Sequence, residues 1–155
     1  TGTETISNWL ITPVITGISD GMTFSFYTRT VDTPSFPDRL EVRMNTTNTG
    51  TNLGGTTPSD VGDFSTVLLT INPSLNTSDY PNTWTNYTAT VTGVPTPVDG
   101  RFAFRYFVTN AGPNGTNSDY IGIDTLVVTA VVPEPGCLLA FGALGILAIR
   151  RRRSA

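Results

Sequence analysis

Apolar residues in the first 131 positions recur at every second place, in short runs set apart by turn chemistry. Met22, Phe24 and Phe26 alternate with Thr23, Ser25 and Tyr27 over residues 22–30. Leu40, Val42 and Met44 alternate with Glu41 and Arg43 over 39–45, and Phe102, Phe104, Tyr106 and Val108 alternate over 101–109. A period of two marks strands with one face in a core. Further strands are predicted over 8–13, closed by Pro13, and over 14–18, 64–71, 83–91 and 119–131. In 83–91, Trp84, Asn86 and Thr88 fall on the face opposite Tyr87, Ala89 and Val91, so Trp84 is expected toward solvent. Asp20-Gly21 and Asp99-Gly100 are turn signals. Residues 46–62, rich in Thr, Asn and Gly, read as a flexible surface loop, and 94–100 as a Pro-rich connection. No helical period and no internal repeat occurs before residue 132. The pattern predicts an all-β fold, a jelly-roll-like antiparallel β-sandwich over residues 1–131.

The last stretch is different. Residues 136–149 are apolar all round, and Arg150, Arg151, Arg152 and Arg153 follow directly. As a helix, this run spans about 21 Å, short of the roughly 30 Å bilayer core. Arginine side chains can snorkel to the interface, and mismatch costs only fractions of a kcal/mol per Å. A short C-terminal hydrophobic membrane helix is therefore expected. The arginine block is a positive-inside signal that holds the C-terminus in the cytoplasm and the rest of the chain outside. Pro133 and Pro135 stop the helix from extending backwards, which leaves Pro133-Glu134-Pro135 extended and accessible. A plain C-terminal anchor, or a core helix with a basic end, would share some of these features; a core helix normally shows one apolar stripe only.

Val132-Pro133-Glu134-Pro135, then a Gly/Ala/Leu-rich run, then Arg150 to Arg153 at the end resembles a PEP-CTERM sorting signal over residues 132–155. The resemblance implies recognition by an exosortase, a transient stay in the inner membrane, and cleavage near Pro133-Glu134-Pro135. It also implies release or attachment at the surface of a Gram-negative bacterium, commonly beside exopolysaccharide and biofilm loci. Such delivery requires export. No export signal begins at Thr1, so a signal peptide is expected to have been removed or left out.

Composition narrows the chemistry. The chain has 155 residues and no histidine, and all nine basic residues are arginine. Residues 1–131 hold five arginines against eleven acids, a net charge of −6. Such a domain lacks the basic footprint of a nucleic-acid binder. Without histidine or lysine, the usual general bases, Schiff-base chemistry and serine triads are missing. The one cysteine, Cys137, lies in the tail, so the domain has no disulfide. Paired carboxylates for glycoside hydrolysis remain a formal option, but Glu4 and Glu41 are the only glutamates of the domain. No enzyme activity is expected.

The ordered pieces Asn8-Trp9-Leu10-Ile11-Thr12-Pro13, Met22-Thr23-Phe24-Ser25-Phe26, Phe36-Pro37-Asp38-Arg39-Leu40-Glu41-Val42, Trp84 and Gly122-Ile123-Asp124 resemble a choice-of-anchor J domain. That group is similar to the cleaved-adhesin and MAM-like sandwiches. The resemblance covers roughly residues 5–131 and implies an extracellular, non-catalytic module. Related modules hold structural Ca²⁺ against the last strand, which makes Asp124, with Asp38, the candidate ligands. Calcium takes oxygen donors in a flexible shell, and Asp20, Asp32 and Asp119 also lie near strand ends. The alternative is that these aspartates cap turns.

Exposed aromatics are the usual platform for sugar binding, and Trp9, Trp84, Tyr80, Tyr87 and Tyr120 form the pool. Trp84 is the chosen candidate, although a tryptophan in a sandwich is more often core. Asn45, Asn76, Asn86 and Asn114 open accidental glycosylation sequons in a Thr/Asn-rich chain. The function expected from sequence is a non-catalytic exported cell-surface or biofilm-matrix protein. The alternative is a carbohydrate-binding module that recognises exopolysaccharide.

Overall fold

A computed structural model describes residues 3–55, 57 and 59–130. The predicted membrane helix over 136–149, the motif Val132 to Pro135 and the Arg150 to Arg153 block lie outside these residues. Among the described residues, no helix is long and apolar enough to cross a membrane.

The described residues form eight strands: β1 (Glu4–Ile11), β2 (Ile15–Ile18), β3 (Thr23–Thr30), β4 (Leu40–Asn45), β5 (Thr66–Ile71), β6 (Thr85–Thr90), β7 (Val98–Ala111) and β8 (Ile121–Thr129). All pairings are antiparallel. One sheet runs β1-β7-β4-β5, with β2 also on β7, and the other runs β6-β3-β8.

The two inner faces meet through aromatic rings. Phe24 of β3 lies 4.8 Å from Phe102 and 5.3 Å from Phe104, centroid to centroid. Phe26 meets Phe104 edge-on at 4.8 Å. Met22, Leu40, Val42, Met44, Val91 and Ile71 join this core. The predicted alternation is correct for β3, β4 and β6, where Tyr87, Ala89 and Val91 turn inward and Trp84 outward.

Several strands depart from the sequence reading for local reasons. Strand β1 begins at Glu4 and not at residue 8, because it pairs with β7 as far as Ala111. Residues 98–100, read as part of a connection, open β7. Gly100 pairs with Ile15, and a Cβ there would lie 2.2 Å from the Asn45 carbonyl oxygen. Pro13 still interrupts the edge: β1 stops at Ile11, and the Thr12 hydroxyl accepts the Phe102 N–H at 3.1 Å. Finally, β8 carries an extra residue. The register slips opposite Ser25 and Tyr27, and Thr125 has φ 49°. The bulge flips the alternation, so Ile121, Ile123 and Val128 reach the core while Val127 is left outside.

Strand β7 is covered on both faces. Behind the core, Ala103, Arg105 and Phe107 are buried on the outer face. The segment after β4 folds back over them, bringing Phe64 to 5.7 Å from Trp9. Phe64 therefore belongs to this cover, and β5 starts at Thr66. The segment expected to be a flexible loop carries its own hydrogen bonds. Asn45 Oδ1 accepts the Thr47 and Asn48 N–H groups at 3.1 and 3.3 Å. Asn48 Oδ1 accepts the Gly50 N–H, and Asp60 Oδ2 the Gly55 N–H, both at 2.6 Å. At Gly62 (φ 52°) a Cβ would sit 2.3 Å from the Asn52 carbonyl oxygen, so only glycine lets the loop close.

Candidate functional site

At one end of the three-stranded sheet, the last residues of β3 lie between Trp84, just before β6, and the start of β8. Thr28 pairs with Thr85 on one side, and Arg29 and Thr30 pair with Gly122 and Ile121 on the other. The three segments enclose an open cleft of about 450 Å³ lined by Arg29, Thr30, Asp32, Trp84, Tyr120 and Gly122. Its aromatic rings face solvent: Trp84 is 49% and Tyr120 62% exposed.

The indole is held from behind. A Cβ on Gly122 would stand 2.8 Å from Trp84 Cη2, so the far edge of the ring occupies the space a side chain would take. Arg29 Nε donates to the Thr30 carbonyl at 2.8 Å, and its Nη2 pairs with Asp32. Asn82 Nδ2 donates to the Asp32 carbonyl at 3.0 Å. The cleft therefore presents a stacking surface next to an ion pair that is neutral as a unit. Beneath it, Tyr80 lies 2.7 Å from Thr28 Oγ1, which donates to the Gly122 carbonyl at 2.6 Å. Burial pushes the Tyr80 phenol well above its usual range, an effect the Thr28 bond partly opposes.

Asp38 anchors the same end from inside. It is fully buried. Its Oδ1 accepts the Tyr106 hydroxyl at 2.5 Å and the Asp119 N–H at 2.8 Å. Thr30 Oγ1 lies 2.7 Å from both Asp38 Oδ2 and the Tyr120 carbonyl, its one proton shared between them. Tyr106, expected wholly in the core, is half-buried and spends its hydroxyl here. Burial, then the bond to Asp38, hold its phenol well above the usual range.

A phenol, a hydroxyl and an amide therefore all point their hydrogens at the Asp38 carboxylate. Asp124 is exposed, and its Oδ1 accepts the N–H of Thr125 at 2.6 Å in the β8 bulge. Among the described residues, no group of three or more His, Cys, Asp or Glu could hold a metal ion. Asp38 thus ties Thr30, Tyr106 and the Asp119 backbone together, while Asp124 caps the β8 bulge.

The outer face of the larger sheet holds a second polar cluster. Glu41 Oε2 lies 2.7 Å from Arg43 Nε and 3.4 Å from Arg105 Nη1. Arg105 is 1% exposed, with its guanidinium 4.0 Å from the Phe107 ring centroid and 5.1 Å from that of Trp9. Its Nε donates to Ser7 Oγ at 3.0 Å. Burial lowers the Arg105 pKa, and Glu41 partly offsets this. Glu41 is thus clamped between two arginines. Glu4 lies five residues from Trp9, the β1 residue level with Glu41 across β7. At about 3.3 Å per residue that is roughly 16 Å, too far for a glycosidase pair. Alternation places Glu41 and Arg43 on one face, but nothing in the sequence marks Arg105 as a buried residue.

Of the other sequence-chosen aromatics, Tyr80 is buried, Tyr87 stacks on Phe26 at 6.1 Å, and Trp9 packs on Phe64. Only Trp84 and Tyr120 converge on one open surface. Arg29, Asp32 and Asn82 join them through strand pairing and loop contacts that no local motif signals.

No known family matches this chain by sequence, and no curated protein does. Among solved structures, the chain is similar to the K1 cleaved adhesin domain of Lys-gingipain from Porphyromonas gingivalis W83, with TM-score 0.50 and 21% identity over 81% of this chain. The K3 cleaved adhesin domain of the same protein gives TM-score 0.48 and 20% identity over 79% of this chain. The chain spans 64% and 63% of those domains. At this identity the likeness to the K1 domain shows a shared β-sandwich fold and no more.

Proposed function

We propose that this chain is a non-catalytic adhesive module of a bacterial cell surface or biofilm matrix, exported and sorted through its C-terminal segment. An exosortase would cleave near Val132-Pro133-Glu134-Pro135, while Arg150 to Arg153 hold the precursor in the inner membrane of a Gram-negative cell. The support for delivery is the order of proline motif, apolar run and arginine block. The support for an adhesive role is a sandwich whose buried charges serve structure while two exposed aromatics, Trp84 and Tyr120, meet at one cleft. Replacing Pro133, Glu134 and Pro135 by alanine should leave a longer precursor in inner-membrane fractions. Unchanged size and location would rule out exosortase delivery.

One observation favours a second, more specific reading: carbohydrate recognition at the Trp84 cleft. A tryptophan ring fixed from behind by Gly122 and open in front offers an apolar face to a pyranose ring, with Arg29 and Asp32 beside it for hydroxyl groups. The partner would be an exopolysaccharide. A glycan array with Trp84→Ala as control tests this; binding retained by the variant would reject the cleft.

A further inference from the structure

Resting on that carbohydrate reading, we infer that the binding surface continues past the Trp84 cleft as a groove with two subsites. It takes internal units of a linear, uncharged polysaccharide. A second open cleft of about 460 Å³ is lined by Pro34, Thr77, Ser78, Tyr80, Pro81 and Asn82. Both clefts fall within the size range of small-ligand sites.

The two are adjacent by construction. Asp32 lines the first, Asn82 lines the second, and Asn82 Nδ2 donates to the Asp32 carbonyl at 3.0 Å. The Thr30 N–H donates to the Pro81 carbonyl at 2.7 Å, stapling the same two segments together. The clefts therefore meet where these two bonded segments run side by side. A chain crossing there would rest one unit on Trp84 and a later one against Pro34 and Pro81, with Thr77, Ser78 and Asn82 in reach of its hydroxyls.

Charge selects the polymer. No ionised side chain lines the second cleft, and in the first Arg29 and Asp32 neutralise each other. Residues 1–131 carry −6, a field that opposes a polyanion. The groove thus fits a neutral glycan better than a uronic-acid polymer.

Calorimetric titration of the full chain with cello-, xylo- and manno-oligosaccharides from mono- to hexasaccharide, and with alginate oligomers of matched length, tests this. Affinity for at least one neutral series should rise about tenfold or more with length before levelling, about 1.4 kcal/mol, and exceed that for alginate. Ser78→Trp, on an exposed loop, should flatten the rise while leaving short oligomers bound; Asn82→Ala should weaken it. Binding that is lost in Trp84→Ala yet independent of length, or unaffected by both groove variants, would overturn the groove and leave the Trp84 site standing. Tighter binding of alginate would overturn the neutral assignment. If no oligomer of any length binds, the carbohydrate reading itself falls, and the groove with it.

Discussion

The far edge of the Trp84 indole sits where a side chain on Gly122 would be, with Cη2 only 2.8 Å from that missing Cβ. The ring's orientation thus depends on a residue of another strand. Gly122→Ala should push the indole outward, changing its emission in a Trp9→Phe background and weakening any sugar that stacks on it by about tenfold. An unchanged spectrum with unchanged affinity would show that the glycine does not set the platform.

Asp38 accepts hydrogen bonds from Thr30, Tyr106 and the Asp119 amide. Asp38→Ala removes the acceptor these three donors share from the buried end of the sandwich, and an unsatisfied buried group costs about 1–3 kcal/mol. A loss of about 3 kcal/mol or more is expected in urea unfolding. EDTA should leave the melting temperature of the unmutated chain unchanged, because the carboxylate already faces hydrogen-bond donors. A chelator-dependent drop would place calcium at this end of the sandwich.

Tyr80 and Tyr106 are both held above the usual phenol range, chiefly by burial. The unfolded chain ionises them near pH 10, while the folded chain keeps its protons longer. Their contribution is therefore complete below about pH 10 and is lost as pH rises past it toward the folded values. Urea midpoints should fall steeply on the alkaline side. Tyr106→Phe removes one of the two groups and should make that fall shallower. An equal slope would mean that Tyr106 is not protected.

The Glu41 clamp predicts an asymmetry. Removing the acid leaves Arg43 and Arg105 near each other without their counter-charge, and breaking such a buried pair costs about 3–5 kcal/mol. Arg105→Met leaves Glu41 paired with Arg43 and keeps an unbranched side chain against Trp9 and Phe107. It should cost clearly less than Glu41→Ala in thermal melts. Equal losses would refute the clamp.

Alternation alone marked the core, because Phe24, Phe26, Val42 and Phe104 meet across one interface. It could not show that β7 is covered on both faces, since Arg105 reads as a solvent-facing charge until Trp9 and Phe64 are seen to cover its side of the sheet. It also missed the bulge at Thr125, where one extra residue reassigns Val127 and Val128. Trp84 was legible from its face of β6. Its neighbours Arg29, Asp32 and Tyr120 were not, because they come from segments far apart in sequence that strand pairing alone brings together.

The position of the cleft on β8 has a mechanical consequence. Tyr120 and Gly122 lie at the head of that strand, and the chain leaves its other end beyond Thr129 toward the proposed sorting segment. Tension between a captured polymer and a C-terminal tether would run along the strand axis. The hydrogen bonds to β3 lie across that line, so they would bear the load together as shear and not break in succession like a zipper.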